Sequence, residues 1–255
     1  MNNIVFFGDS FASFGINANA ARQYPTKETG LESYIDIVAQ ECDATPIYMG
    51  FGGVSWWYSY ARLKEWILAN QVEWRKTEAL VMCLTNATRV KISDSHDFDR
   101  YHRSKYEQHA HIHALRADFE SWAYKKFVEE IKQMTTKKKV ILLPCFRDER
   151  WISVNFRKDF ATSALNLCTI SYSEFKAGVE INRQEEIFKL VSGDERANHL
   201  NQHNNRALAA DVIDKLNNYQ PGIFMLNQSA YEKNNDFFKE EYDEANELYE
   251  KYRTR

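Results

Sequence analysis

Asn3-Ile4-Val5-Phe6-Phe7-Gly8-Asp9-Ser10 is the stretch on which the fold turns. Its apolar residues read as a short buried strand, and Gly8-Asp9-Ser10 follows at once as a turn, so a serine is presented at a strand's carboxyl end. In open α/β sheets that edge is where ligands bind, because each strand stops there and the loop turns its polar groups toward a crevice. The same residues also read as a helix start with Asp9 or Ser10 as the N-cap. The choice between the two depends on what the rest of the chain brings to the same edge.

Working outward, Leu31 to Glu41 places Leu31, Tyr34, Ile35, Val38 and Ala39 on one helical face. Pro46-Ile47-Tyr48-Met49 reads as a second strand, ended by Gly50-Phe51-Gly52-Gly53. A strand, a helix and a strand in succession imply a right-handed parallel crossover. The next helix runs from about Trp56 to Asn70, with Tyr60, Leu63, Ile67 and Leu68 inward. Ala79 to Leu84 is an uninterrupted apolar run, as expected of a strand covered on both faces, and it ends at Thr85-Asn86. A long amphipathic helix then carries Phe119, Trp122, Phe127, Val128 and Ile131. It leads through Lys137-Lys138-Lys139 into the strand Val140 to Pro144.

Leu165 to Tyr172 is read as a fifth strand, Arg147 to Ser163 as an irregular segment, and Asn201 to Leu216 as the last helix of the domain. This alternation predicts a three-layer α/β/α domain over residues 1–220, built on a mostly parallel five-stranded sheet. Residues 221–255 read as an acidic, tyrosine-rich extension. It is either a helix packed back on the domain or a homo-oligomer contact built on Phe237, Phe238, Tyr242, Leu248 and Tyr249.

Composition removes several functional classes. A hydrophobic fraction of 44% over 255 residues is enough for one sizeable core and excludes disorder along the whole chain. The net charge of -3, with Lys and Arg dispersed, leaves no basic stripe for nucleic acid. Cys42, Cys83, Cys145 and Cys168 lie far apart and show no C-x-x-C spacing, so they read as thiols of a reducing compartment without a structural metal. With no export signal and no apolar run of spanning length, the expectation is a cytoplasmic protein without a membrane span.

Four separated blocks now stand in order: Gly8-Asp9-Ser10, Gly50-Phe51-Gly52-Gly53-Val54-Ser55, Leu84-Thr85-Asn86 and Asn198-His199-Leu200, the last followed by Asn201 and Asn205. Together they resemble the SGNH/GDSL hydrolases, a family named for a Ser, Gly, Asn and His in four such blocks, across roughly residues 3–218. The resemblance implies a flavodoxin-like fold and a cofactor-free serine esterase. Ser10 would be the nucleophile and His199 its base, with an oxyanion hole formed by the N–H groups of Ser10 and Gly53 and the Asn86 amide. The family's aspartate three residues before the histidine is replaced by Arg196. Asp194 is the preferred orienting acid, with Glu195 or a backbone carbonyl as alternatives. Ala87 also departs from the family's usual aspartate.

Trp56 and Trp57 follow the oxyanion glycine and are expected either to offer flat apolar surface to a sugar ring or acyl chain, or to belong to the core. His109, His111 and His113 form a rival constellation. In a helical context only His109 and His113 align, and no carboxylate follows at ligand spacing, so no metal site is expected. The expected substrate is an O-acetyl or short acyl ester, on a carbohydrate by first preference, then a lipid or simple alcohol ester. The missing aspartate favours the alternative, a catalytically silent protein of the same fold that binds a glycan or a protein partner.

Overall fold

The computed structural model describes residues 2–12, 33–51, 56–85, 125–145, 157–170, 200, 202–232 and 236–253. Six strands, β1 (Asn2–Gly8), β2 (Ala44–Gly50), β3 (Thr77–Leu84), β4 (Lys139–Pro144), β5 (Ala161–Ser163) and β6 (Gly222–Phe224), form one sheet in the order β2-β1-β3-β4-β5-β6. Every neighbouring pair is parallel. The α/β class and the mostly parallel sheet agree with the expectation, but among the described residues the sheet has six strands, not five. The fifth lies at Ala161–Ser163, inside the stretch read as irregular, and residues 164–170 form buried bends and turns. Residues beyond 220 supply both β6 and a helix, so they take part in the sheet.

Alternation along each strand divides the core. Ile4, Phe6, Val81, Cys83, Ile141 and Leu143 point to one face, and Val5, Phe7, Leu80, Met82, Val140 and Leu142 to the other. On the first face lie α1 (Tyr34–Glu41), reached after β1, and α5 (Gln202–Asn217), which packs beside it. The second face takes α2 (Trp56–Ala69) and α4, helical over residues 125–134, while the short α3 (Gln71–Lys76) leads into β3.

Local signals explain where these helices start and which face they bury. The Ser33 hydroxyl accepts from the Asp36 N–H at 3.2 Å, and Asp36 in return accepts from the Ser33 N–H, a reciprocal cap that starts α1 at Tyr34. In α2 the buried stripe is Trp56, Ser59, Tyr60 and Leu63, with Ile67 partly covered. Leu68 was expected on that stripe but is 67% exposed. It lies about 100° round the helix from Ile67, outside the covered arc. The C-terminal helix α6 (Asp236–Tyr252) packs Tyr242, Ala245 and Tyr249 onto the first face of the sheet. Arg157 holds its far end, donating to the Tyr252 carbonyl at 3.3 Å and lying 4.3 Å from the centre of the Tyr252 ring.

Candidate functional site

The strand order fixes the crevice. From β1 the chain passes over the first face to β2. From β2 it returns over the second face to β3, on β1's other side. The connection leaving β1 thus runs over the first face to β2, and the one leaving β3 reaches β4 through α4 on the second face, so these two diverge at the carboxyl ends of β1 and β3, the topological switch point of such sheets. In register, Gly8 lies beside Gly50 of β2 and Cys83 of β3.

The turn after β1 is pinned at this point from both sides. The Asp9 N–H donates to the Cys83 carbonyl at 2.7 Å. The Gly8 carbonyl accepts from the Phe51 N–H at 3.0 Å and from the Ser59 hydroxyl at 3.2 Å. Gly8 has φ +126°, and a Cβ placed there would lie 2.0 Å from the Cys83 carbonyl oxygen, so only glycine lets the chain cross so close to β3. Ser10 follows as the first residue of a 3-10 turn, Ser10–Ala12, closed by the Ala12 N–H on the Asp9 carbonyl at 2.9 Å. Phe11 and Ala12 anchor that turn in the core. The serine turn thus leaves the sheet at the switch point, with its backbone held by β2, β3 and α2.

The helix that follows the histidine block starts at the same edge. α1 ends one short turn before β2 and α5 one short connection before β6, so both helices begin at the strands' carboxyl ends. Asn205, in the first turn of α5, accepts from the Tyr34 N–H at 2.9 Å and donates to the Leu200 carbonyl at 3.1 Å. Asn204 beside it is fully buried. It donates to the carbonyls of Ile170 and Glu232 at 2.8 and 3.2 Å and accepts from the Glu232 N–H at 2.8 Å. Leu200 is buried in the same core as Phe11 and Tyr34.

No family model, curated protein or solved structure matches this chain. Of the expected set, the backbone of Ser10 is placed, while Gly53, Asn86, Asp194 and His199 lie outside the described residues, as do His109, His111 and His113. Trp56 is only 2% exposed and packs on Phe127 at 4.9 Å between ring centroids, so it is a core residue and offers no surface to a ligand. Trp57 is half-buried, edge-on to Trp56.

Burial governs the two titratable groups that meet beneath this edge, Cys83 and Tyr34. Burial pushes the Cys83 thiol up to about 12, and nearby Asp9 adds to the rise against a hydrogen bond from Tyr34 that opposes it. Since the thiolate is the nucleophile, Cys83 is inert at neutral pH. Burial likewise holds the Tyr34 phenol well above its ordinary range, so the Tyr34–Cys83 contact, 3.1 Å from Oη to Sγ, joins two neutral groups. Gly8, Ser59 and Tyr34 carry this geometry and were not singled out as site residues from the sequence. Gly8 alone left a signal, as a glycine ending an apolar strand directly before an Asp-Ser pair.

Proposed function

We propose that this chain is a metal-independent hydrolase of carboxylic esters, of the SGNH type, acting through Ser10 and His199. The observation that carries the reading is the pinned turn at the β1/β3 switch point, which delivers the residue after Gly8-Asp9 to the edge where ligands of open α/β sheets bind. Two further facts support it. Asn86 is one residue beyond Thr85, directly after β3, and His199 is joined to Leu200, which is tied to α1 at the same edge.

In this reading the Ser10 Oγ attacks the ester carbonyl carbon while His199 takes the hydroxyl proton. The N–H groups of Ser10 and Gly53 and the Asn86 side-chain amide receive the oxyanion. Collapse of the tetrahedral species breaks the bond to the alkoxy oxygen, which leaves as an alcohol with the proton from His199. Water, activated by the same imidazole, then releases the acid from Ser10. Asp194 is the preferred partner for the second imidazole nitrogen, and Trp57, unlike Trp56, retains surface for a substrate. The substrate is an O-acetyl or short acyl ester, with a carbohydrate as the preferred carrier.

The test is turnover of p-nitrophenyl acetate together with mass-spectrometric mapping of a fluorophosphonate adduct. The wild type should turn over the ester and carry the adduct on Ser10, and Ser10→Ala should lose both. Removing one oxyanion donor, in Asn86→Ala, should lower kcat by about a hundredfold or more. Equal turnover by wild type and Ser10→Ala overturns the assignment. A folded wild type with neither turnover nor adduct favours the silent glycan- or protein-binding alternative.

A further inference from the structure

We infer that Asn205 is a positioning residue for His199; the inference rests on the esterase reading and assigns a role that the four sequence blocks do not. A continuous line of contacts joins the residue after the histidine to the residue before the serine. The Leu200 carbonyl accepts from the Asn205 Nδ2 at 3.1 Å, and the Asn205 Oδ1 accepts from the Tyr34 N–H at 2.9 Å. The Tyr34 hydroxyl meets the Cys83 Sγ at 3.1 Å, and the Cys83 carbonyl accepts from the Asp9 N–H at 2.7 Å. Leu200 is bonded to His199 and Asp9 to Ser10, so the line spans between the two reacting residues without including either.

Asn205 is the link whose chemistry is specific to this task. One end of its amide must accept from a helix-terminal N–H, which would otherwise lack a partner within α1, and the other must donate to a carbonyl. Only an amide offers both ends at this length. An alignment error of about 1 Å between nucleophile and base can cost on the order of a hundredfold in rate.

Asn205→Asp separates positioning from folding. The carboxylate still accepts from the Tyr34 N–H and sits favourably at the start of two helices, so the fold is retained. It cannot donate to Leu200 and sets one acceptor against another, which releases the backbone next to His199. The expected result on p-nitrophenyl acetate is a kcat about tenfold lower with KM within about twofold, a melting temperature close to wild type, and slower fluorophosphonate labelling of Ser10. Asn205→Ala, which removes both amide contacts and adds no charge, should lower kcat in the same direction and serves if Asn205→Asp does not fold. Wild-type kcat in the folded variants, with Ser10→Ala inactive, overturns the positioning role and leaves the esterase reading standing. An inactive wild type overturns both.

Discussion

Replacing Gly8 by alanine tests the geometry of the serine turn directly, and Gly222 supplies an internal control. Both glycines hold positive φ, +126° and +134°, which L-residues adopt at a cost of about 1–3 kcal/mol. Their surroundings differ. A Cβ at Gly222 meets nothing within 4 Å, whereas at Gly8 it falls 2.0 Å from the Cys83 carbonyl oxygen, a backbone atom in the middle of the sheet. Relief requires β1 and β3 to part, which sacrifices the Asp9-to-Cys83 hydrogen bond, worth roughly 1 kcal/mol net, and loosens tight packing around it for roughly another 1–3 kcal/mol. Gly222→Ala should therefore lose about 1–3 kcal/mol and Gly8→Ala about 3–7 kcal/mol. In a chain of this length that is a fall in melting temperature of roughly 10 °C or more for Gly8→Ala, and several degrees for Gly222→Ala. Calorimetry or circular dichroism at a fixed heating rate measures both. Equal falls in the two variants would show that the close approach to Cys83 is not what requires glycine at position 8.

Other perturbations probe separate parts of the structure. Asn204→Ala leaves the Glu232 N–H and the Ile170 carbonyl without their amide partner, and should destabilise by about 2–4 kcal/mol in thermal or urea denaturation. Cys83, with its folded thiol at about 12 against an ordinary value of 9.0, binds its proton more tightly when folded. Above about pH 9 the unfolded chain therefore holds fewer protons than the native one, so stability should fall as pH rises from there toward 12, and more gently in Cys83→Ala. Native Cys83 should also resist alkylation at pH 8 and react once the chain is unfolded, as peptide mapping would show. Arg157→Ala removes both the ring contact and the hydrogen bond at Tyr252, at a cost of about 1–3 kcal/mol, and should make the end of α6 a preferred site of limited proteolysis.

The legible parts of the fold were those whose burial writes a period into the sequence. β1, β3 and β4 are apolar on both faces, and α5 repeats its buried residues at helical spacing. β5 could not be read this way, because Ala161-Thr162-Ser163 is short, small and largely polar, and is a strand only because β4 and β6 flank it. The apolar content of residues 164–170 reports burial, which turns beneath a covering helix share with strands. For the site, Gly8-Asp9-Ser10 marked the right edge. The contacts that hold it were not legible: Ser59 is an ordinary polar residue in a helix with its partner 51 positions away, and Asn205, although it follows the histidine block, carries no sign of a partner 171 positions away. Trp56 and Trp57 differ in burial although they are neighbours, since successive helical residues point about 100° apart.

The order of strands also bears on how the chain leaves the ribosome. β5 gains its outer partner only from residues 222–224, so a nascent chain in which the other strands have been made still carries an open rim. Such rims recruit foreign strands. Here the rim is three residues long and built from alanine, threonine and serine, which gives a stray strand little to grip until Gly222–Phe224 arrives.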